Sequence, residues 1–591
     1  MTEPGRRSRW AAWALVVVVA VAGLLLVAAS LQPYEYALKA LPRLSPVRRV
    51  SRLTEETYRT VTQDVGAVGG ALLLAALGLG LARRRVARGW ETLAKGCRSM
   101  RREAKRLWRG LLGDPLHAWT LLALTLIAAA IRLVYLSRPM RSDEAITYLM
   151  YASRPFYRAL VSVPYYPNNH PLHTLLVRGA SLLLGDQPWA LRMPAFLAGV
   201  ACVPAVYLAA RRLYGKAPAL VAATLVAASS ALVGFSTNAW GYTLVCLESL
   251  LLLALATYLY RSRNAAGWLA FALLGALGLF TVPTMIYPLG MVAMWLGLMT
   301  LVTQPRRLWG EQIGRLLGYT ILAGILAAVL YTPIVAAGGL NRLVANRFVA
   351  PLAWGEFARQ LPASLRGVAT LWHQEVPLPL TVLLVVGVVV AVVAHRRVSR
   401  YPVSVAGAAV LWLAPVLVAQ HVVPFVRVWL FLLPVYLMLA AAGLCFLLGP
   451  LVARAGRRRE LVWVALALAL AVGLGSQVAR RGLVSRSGAW HDVQAVTLTL
   501  QGELQPGDLV LYDWLGEWPL KYYFTLQGLP LEYLTAEPRA AWRLWVAVAE
   551  GPEHWPLPQI LQASGLREEE FGPPQTVQRY SEATLYLLPW R

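Results

Sequence analysis

Residues 117–148 read HAWTLLALTLIAAAIRLVYLSRPMRSDEAITY. The first part, 117–137, is an apolar segment long enough to cross a bilayer, for which roughly 17–25 apolar residues are needed. Two adjacent carboxylates, Asp143 and Glu144, follow shortly after the end of that segment. Ionisable groups at a membrane face cost free energy and therefore tend to mark functional positions. The rest of the chain is predicted to hold these two side chains against one face of a membrane.

The composition is that of an integral membrane protein. Of 591 residues, 58% are hydrophobic and 14% are charged, whereas a soluble domain carries roughly a quarter charged residues. The net charge of +27 could suit a nucleic-acid-binding protein, but the arginines cluster at the ends of apolar segments, where the positive-inside rule explains them better. The four cysteines form no CxxC or Cys/His cluster, so neither a disulfide framework nor a zinc site is predicted.

About thirteen apolar segments are predicted to be transmembrane helices. The first is too long for the apolar part of a signal peptide, and we expect it to be retained. The segments are 10–31, 65–83, 117–137, 187–210, 217–236, 240–260, 265–281, 284–302, 315–337, 378–394, 403–422, 428–449 and 460–478.

The arginines predict the orientation of the chain. Every second connection is basic, for example 84–114, Arg211/Arg212 and Arg396/Arg397, and such connections are expected in the cytoplasm. The N-terminus is therefore predicted to be cytoplasmic, and 138–186, 338–377 and the tail after 479 are predicted to be extracytoplasmic. We expect a multi-pass protein of the plasma membrane.

Two connections have helical patterns of their own. The basic stretch 84–114 predicts a helix that anchors the topology on an anionic leaflet, with a specific partner as the alternative. The loop 338–377 predicts an amphipathic helix at the outer leaflet, with a lid over an acceptor site as the alternative.

Three regions follow from these patterns. Residues 1–114 hold two transmembrane helices and the basic cytoplasmic loop, 115–480 form the main membrane module with the outer loop 138–186, and 481–591 form a small α/β domain. The predicted fold class is an all-α polytopic bundle followed by that domain. In the tail, the patterns predict helices near 515–526 and 556–564 and strands at Leu509–Tyr512, Leu531–Leu534, Trp545–Val548 and Thr584–Leu588.

The loop behind Asp143 and Glu144 is rich in polar and aromatic side chains. It contains Asn168, Asn169 and His170, together with Tyr148, Tyr151, Tyr157, Tyr165 and Tyr166. Carboxylates and amides bind hydroxyl groups, and aromatic rings cover apolar sugar faces, so the set suits a polyhydroxylated ligand. The alternatives are a solvated acidic pair or two charges at a helix N-terminus, and for His170 a turn residue.

Four patterns resemble family 39 of the GT-C glycosyltransferases, relatives of the protein O-mannosyltransferases and the lipid A aminoarabinose transferases. They are Asp143-Glu144-Ala145, Asn169-His170-Pro171-Leu172, Leu191-Arg192-Met193-Pro194 and Ala209-Ala210-Arg211-Arg212-Leu213-Tyr214-Gly215. The resemblance covers about 117–450. It implies that 115–480 is a GT-C catalytic module with its catalytic loop at 138–186.

The resemblance also implies a reaction. An acceptor hydroxyl would attack C1 of a polyprenyl-phosphate-linked sugar with inversion, in the manner of a hexosyl- or pentosyltransferase, with Asp143 as the general base. Glu144 would orient the acceptor or the base, or would hold a divalent metal with Asp143 if one is used. The implied partners are the lipid-linked donor, membrane lipids and an acceptor that is a glycan, a lipid or a protein, and no nucleic acid is implied.

The leaving phosphate needs positive charge or fixed hydrogen-bond donors. Arg427 is one candidate, and Arg192 is the other, although Arg192 could equally pair with Asp186. His170, beside Asn169, would contact the donor phosphate or position the Asp143 loop. In Asn238-Ala239-Trp240-Gly241-Tyr242 the acidic residue and the arginine that family members often carry are replaced by Asn238 and Trp240. Tyr242 is then a candidate for the sugar site or for the aromatic belt of the membrane.

Two other classes of protein stay open at this point. A secondary transporter would place polar residues and broken helices near mid-bilayer, often in repeated halves, and no repeat is visible in the sequence. A non-catalytic sensor or scaffold would lose Asp143 without consequence.

Overall fold

The computed structural model describes residues 5–35, 55–161, 169–338, 350–481, 490–551 and 554–591. Asn168, Tyr165 and Tyr166 of the predicted site lie outside the described residues. By their internal contacts the described residues fall into two compact units. The first runs to Arg109 and includes Arg263–Leu269, and the second comprises Gly110–Ser262 and Ala270–Arg591.

The first unit contains a pair of helices packed in opposite directions, Arg6–Ser30 and Glu55–Leu81. Their backbones approach closely at glycines, since a Cβ on Gly69 would lie 2.8 Å from the backbone nitrogen of Val27. Small residues commonly permit such contact between membrane helices. A third helix, Arg83–Leu112, turns away from the second by 81°, so the predicted helix in the basic stretch is confirmed.

All thirteen predicted apolar segments are helical. Between Pro115 and Arg481 the helices of these segments are Pro115–Leu136, Met193–Leu213, Lys216–Ala228, Ser230–Ser236, Tyr242–Leu259, Ala265–Thr281, Ile286–Thr303, Trp309–Gly338, Leu378–Val393, Val405–Gln420, Leu432–Ala453 and Arg459–Arg481. Trp354–His373 is the helix predicted in the loop 338–377, and it meets the next helix at 115°.

The chain is a multi-pass membrane protein. In the described part, eight helices are long and apolar enough to cross a membrane, or up to eleven when each bent pair is counted as one span. The predicted segments 265–281 and 403–422 form helices of 17 and 16 residues, which are shorter than the others. Sequence analysis did not foresee the helix Pro171–Leu184, which lies in the predicted outer loop.

One bent span is stabilised by an arginine inside the membrane module. The helices Lys216–Ala228 and Ser230–Ser236 meet at 58°, and such a break frees backbone carbonyls that need partners. Arg132 is fully buried and donates to the carbonyl of Ala227 at 2.9 Å and to Ser236 Oγ at 2.8 Å.

The tail forms a small α/β domain around a four-stranded sheet. The strands are β1 (Leu509–Leu511), β2 (Leu544–Ala549), β3 (Gln575–Arg579) and β4 (Ala583–Leu588). Their order is β1-β2-β4-β3, with β1 and β2 parallel and the other pairs antiparallel. The helices of this domain are Val493–Glu503, Glu517–Gln527 and Leu557–Ala563.

Two details of the tail differ from the prediction. Leu531–Leu534 is a 3₁₀ turn rather than a strand, because it follows Pro530 directly and buries Leu534 alone of its four residues. Strand β3 was not predicted, because all five of its residues are exposed and therefore show no alternation of apolar and polar side chains.

The tail domain and the loop after the first span of the module share one hydrophobic core. Tyr148 of the loop packs edge-on against Tyr522 of the tail, with ring centroids 5.5 Å apart. Buried apolar side chains from both sides belong to the same cluster, among them Met140, Ala145, Leu191, Trp490, Leu520 and Tyr523. The tail is thus built into the support of the loop that carries Asp143.

Candidate functional site

The two adjacent carboxylates lie on a short helix, Ser142–Ile146, which continues as a π-helical turn over Thr147–Ala152. Successive residues on a helix point about 100° apart, so the two side chains enter different surroundings. Glu144 is fully buried, whereas Asp143 is half-buried.

Glu144 is enclosed by hydrogen-bond donors. Its Oε1 accepts from Arg192 Nε at 2.8 Å and from the backbone N–H of Ala239 at 2.7 Å. Its Oε2 accepts from Arg192 Nη2 at 2.6 Å and from the backbone N–H of Arg141 at 3.0 Å. A carboxylate offers about four lone-pair sites, and all four are filled. Burial alone would raise the pKa of Glu144, but the charge and hydrogen bonds of Arg192 outweigh burial and hold the pKa below its usual range.

Arg192 is equally saturated. Besides Glu144, its guanidinium donates to the carbonyls of Leu136 at 3.0 Å, Arg138 at 2.6 Å and Pro139 at 2.9 Å. An arginine has five N–H donors, and each has a partner here. Arg192 therefore pairs with Glu144 and not with Asp186, and its donors have no free direction in which to receive a phosphate. This geometry does not fit the predicted phosphate role of Arg192, nor an acceptor-orienting role of Glu144.

Asp143 has a different electrostatic environment. Burial raises the pKa of its carboxyl group, and the negative charge of Glu144 adds to this, while the positive charges of Arg427 and Arg141 act in the opposite direction. The net shift is upward. A carboxylate with a raised pKa binds a proton more readily, which is the property required of a general base.

Arg427 lies at the same end of the bundle. Its Nε donates to the hydroxyl of Tyr242 at 3.2 Å, and its guanidinium carbon lies 5.0 Å from the ring centre of Trp240 and 4.4 Å from that of Phe425. Within the described residues, Tyr242 is the one hydrogen-bond partner of Arg427, whereas all five N–H donors of Arg192 have partners. Aromatic faces hold a guanidinium without using its N–H groups, so the terminal amino groups of Arg427 remain available for an anion.

His170 and Asn169 build the wall beside Tyr242. The Nδ1 of His170 accepts from the backbone N–H of Gly241 at 3.0 Å, and its ring packs edge-on against Tyr242 at 5.1 Å. Burial, assisted by the charges of His173 and Arg427, lowers the pKa of His170 to about 3. The imidazole is therefore neutral, and because Nδ1 accepts, the proton lies on Nε2.

Asn169 is a buried structural residue. Its Oδ1 accepts from the hydroxyl of Thr174 at 2.8 Å, and its Nδ2 donates to the carbonyl of Ala159 at 3.4 Å. These bonds fix the start of the helix Pro171–Leu184 and hence the position of His170. The predicted residues therefore fall into two groups. One group, linked by contacts or by charge interactions, comprises Asp143, His170, Tyr242 and Arg427. The other is the closed ion pair of Glu144 and Arg192.

The possibility of a metal was left open by the sequence. Across the described ranges, no group of three or more His, Cys, Asp and Glu side chains is placed to hold a metal ion. A metal bridging Asp143 and Glu144 would require Glu144 to give up bonds to Arg192 or to the backbone. The donor set therefore does not fit the suggested metal pair.

The membrane module also contains an apolar cavity that the sequence did not reveal. It has a volume of about 590 Å³ and lies between the helices Trp354–His373, Val405–Gln420 and Leu432–Ala453. Its walls include Leu365, Trp372, Leu413, Trp429 and Tyr436. Trp429, which follows Arg427 by two residues in the sequence, lines this cavity.

Comparison with known proteins gives one family match and several structural similarities. The family described as Dolichyl-phosphate-mannose-protein mannosyltransferase matches residues 166–332. No curated protein matches the sequence significantly. The crystal structure of ArnT from Cupriavidus metallidurans in the apo state is similar with a TM-score of 0.52 at 13% identity, over 80% of this chain and 98% of ArnT.

Two further solved structures are more distant. ArnT from the same organism bound to undecaprenyl phosphate has a TM-score of 0.47 at 12% identity, over 80% of this chain and 98% of that one. The oligosaccharyltransferase AglB from Archaeoglobus fulgidus, in complex with an inhibitory peptide and a dolichol-phosphate, has a TM-score of 0.43 at 14% identity, over 73% and 69%. The family match covers residues 166–332, and the chain shares the fold of apo ArnT.

Proposed function

We propose that the protein transfers a sugar from a polyprenyl-phosphate carrier to a hydroxyl group of an extracytoplasmic acceptor, with inversion at C1. The single observation that carries the proposal is the half-buried Asp143, whose pKa is raised by burial and which lies within electrostatic reach of Arg427. A base and an anion-binding group thus occupy the same end of the bundle, as the reaction requires.

Asp143 acts as the general base. The acceptor oxygen forms a bond to C1 as the bond from C1 to the phosphate oxygen breaks, and the acceptor proton passes to the carboxylate of Asp143. The electron pair of the broken bond leaves with the polyprenyl phosphate. No second, protonated carboxyl group is needed, since phosphate is a good leaving group. This is consistent with Glu144 being ionised and fully paired.

Arg427 stabilises the negative charge that develops on the leaving phosphate. Its cation is held by Tyr242, Trp240 and Phe425, and its terminal N–H groups have no partner among the described residues. Prearranged donors of this kind are effective in a site that excludes water. The neutral His170 can donate from Nε2. Tyr242 acts through Arg427 and is therefore a positioning residue.

The lipid chain of the donor lies in the apolar cavity beyond Trp429. The cavity walls are almost entirely hydrocarbon and aromatic, and its volume of about 590 Å³ accommodates several isoprene units. The description of the matching family names a dolichyl-phosphate-linked sugar, which belongs to the same class of donor. The helix Trp354–His373 forms one wall of this cavity.

Glu144 and Arg192 position the site. Their ion pair joins the helix Ser142–Ile146 to the start of the helix Met193–Leu213 and, through the N–H of Ala239, to the segment before Tyr242. The pair thus fixes the base and the aromatic wall relative to one another. By the distribution of arginines, this end of the bundle and the tail domain lie outside the cytoplasm.

The test is sugar transfer by the full-length protein in lipid vesicles supplied with radiolabelled polyprenyl-phosphate hexoses and pentoses. Asp143→Asn is expected to lower turnover by about 10²–10⁴-fold, because a positioned base contributes about that much. Glu356→Gln is the matched control, since Glu356 is an exposed carboxylate on the cavity helix, and it should stay within about twofold of wild type. Equal turnover in Asp143→Asn would remove Asp143 as the base. Failure of wild type to transfer or hydrolyse any of these donors would overturn the proposal, and flux across the vesicle would then be measured.

A further inference from the structure

The loop that follows strand β1 in the tail domain lies against the helix of Asp143. The hydroxyl of Ser142 donates to the carbonyl of Leu515 at 2.6 Å. With ordinary backbone dimensions, this bond keeps the Cα atom of Trp514 within about 15 Å of that of Asp143. In open α/β sheets, ligands bind outside the carboxyl ends of parallel strands, and this loop leaves the carboxyl end of β1 beside the parallel strand β2.

The loop is held in one conformation. The Oδ1 of Asp513 accepts from the backbone N–H of Gly516 at 2.7 Å, and its Oδ2 is bonded to Nδ1 of His554, which follows β2. The ring of Trp490 packs so closely under Gly516 that a Cβ there would lie 3.0 Å from it. A loop fixed on both sides can present a side chain to a ligand without losing conformational entropy on binding.

Trp514 is the side chain that this loop presents. It is 57% exposed, whereas its neighbours Asp513 and Leu515 are 3% and 6% exposed. A tryptophan held in solvent by a rigid turn offers a flat apolar face, and aromatic faces pack against the apolar faces of sugar rings. The upper limit of about 15 Å leaves room for no more than a few sugar rings between Trp514 and Asp143.

The charge of the tail restricts the ligand further. Residues 490–591 contain thirteen acidic and six basic residues, a formal net charge of −7, although the whole chain carries +27. A surface of this sign repels phosphorylated or otherwise anionic acceptors. Carboxylates do, however, accept hydrogen bonds from sugar hydroxyls.

We propose that the loop Tyr512–Glu517 is an acceptor subsite for a neutral glycan, with one sugar ring stacked on Trp514 and a hydroxyl of a nearby ring delivered to Asp143. This inference rests on the proposed transferase function and adds the chemical class of the acceptor. The tail domain then selects the substrate as well as supporting the catalytic loop.

The chain offers a matched control for this subsite. Trp542 is 82% exposed and lies two residues before β2, where it contacts Gly507 at the opposite end of the parallel strands, at which β1 and β2 begin. Trp514→Ala and Trp542→Ala therefore remove the same side chain from the two ends of one sheet. Trp514→Phe keeps an aromatic face at the proposed subsite.

Binding is measured first, without donor, by saturation-transfer NMR on the full-length protein in nanodiscs. The probes are neutral tetrasaccharides of mannose, of N-acetylglucosamine and of glucose, a Ser/Thr-containing peptide, and a mannose tetrasaccharide carrying a terminal phosphate. At least one neutral tetrasaccharide is expected to bind, with affinity reduced about tenfold in Trp514→Ala. Trp514→Phe should recover most of that loss, and Trp542→Ala should bind as wild type does.

Transfer is then measured with the neutral glycan that binds. In Trp514→Ala the KM for the acceptor should rise about tenfold, while kcat at saturating acceptor stays within about twofold. Equal affinity in Trp514→Ala and wild type, equal losses in both alanine variants, or binding of only the peptide or the phosphorylated glycan would overturn the subsite. Because the NMR measurement needs no donor, its outcome is independent of whether the transferase proposal itself fails.

Discussion

Asp143 and Glu144 are neighbours in the chain, yet the two sides of the helix that carries them are built in opposite ways. On the Glu144 side, every lone pair of the carboxylate and every N–H of Arg192 has a partner, and neither side chain is more than 1% exposed. On the Asp143 side, the carboxylate is half-buried and its pKa is raised, and among the described residues Arg427 has Tyr242 as its one hydrogen-bond partner. A closed pair fixes geometry, whereas a carboxylate with a raised pKa takes up a proton more readily.

The two carboxylates also differ in their expected roles, since Glu144 contributes to stability and Asp143 to the reaction. A buried ion pair with all hydrogen bonds made is costly to break, because removing one partner leaves the other charged and unpaired. A carboxylate with a raised pKa is instead held at some cost in stability, since the folded protein disfavours its charged form. Within one two-residue motif, Glu144 therefore stabilises the structure and Asp143 is the proposed reactive group.

The largest effect on folding is expected at Glu144. Glu144→Gln leaves the buried guanidinium of Arg192 without a counter-charge and should destabilise the protein by about 3–5 kcal/mol. The measurement is the thermal unfolding midpoint of the purified protein in detergent, followed by intrinsic fluorescence. The double variant Glu144→Gln with Arg192→Met should recover part of the loss, because it leaves no unpaired charge. A Glu144→Gln midpoint equal to wild type would show that the pair does not hold the loop.

The same pair predicts how stability depends on pH. The pKa of Glu144 is lowered in the folded protein, so its contribution is present at neutral pH and is lost as the pH falls through that lowered value. As the pH is lowered, the thermal unfolding midpoint of wild type should fall more steeply than that of the double variant. Parallel acid profiles for the two proteins would contradict this assignment.

A smaller effect, on the pH dependence of catalysis, is expected at Arg427. The positive charge of Arg427 counteracts the upward shift of the pKa of Asp143. Arg427→Gln should therefore raise this pKa further and move the acid limb of kcat/KM to higher pH, since protonated Asp143 cannot act as a base. Donor affinity should also fall about tenfold or more, because a charge-assisted hydrogen bond to phosphate is lost.

Arg427→Lys is the control, because it retains the charge but not the planar group that lies against Trp240 and Phe425. Its acid limb should stay near that of wild type while the KM for the donor rises. An acid limb that does not move in Arg427→Gln would show that Arg427 and Asp143 do not act in one site.

Hydrophobic patterning was sufficient to predict the membrane helices and the tail domain, because membrane helices are decided by local composition. The polar motifs of the outer loop singled out Asp143, Glu144 and His170, and the family resemblance added Arg427. The partner of Arg192 was not predictable, because the ion pair joins positions 48 residues apart through burial that no local pattern records. For the same reason the contact between Ser142 and Leu515, which brings the tail to the loop, has no signature in the sequence. An alignment of related sequences showing joint variation at such positions would have been the relevant signal.

The smallest effect is expected at Tyr523, through which the tail domain contacts the loop that carries Asp143. The hydroxyl of Tyr523 accepts from the backbone N–H of Met140 at 3.1 Å, three residues before Asp143. Tyr523→Phe leaves that buried N–H unpaired, which costs about 1–3 kcal/mol, but most of this cost falls on the loop rather than on the membrane helices. We expect kcat to fall about threefold with an unchanged acid limb, because the position of Asp143 changes and its charged neighbours do not.

Tyr580→Phe is the matched control, since Tyr580 bonds Thr499 within the tail, away from the loop. It should lower the thermal midpoint without lowering kcat. If both variants lowered kcat equally, the tail would act on the site through its overall stability alone. If only Tyr523→Phe lowers kcat, then the position of Asp143 depends on the tail domain, as the position of Glu144 depends on Arg192. The two contacts would differ only in the strength of their hydrogen bonds.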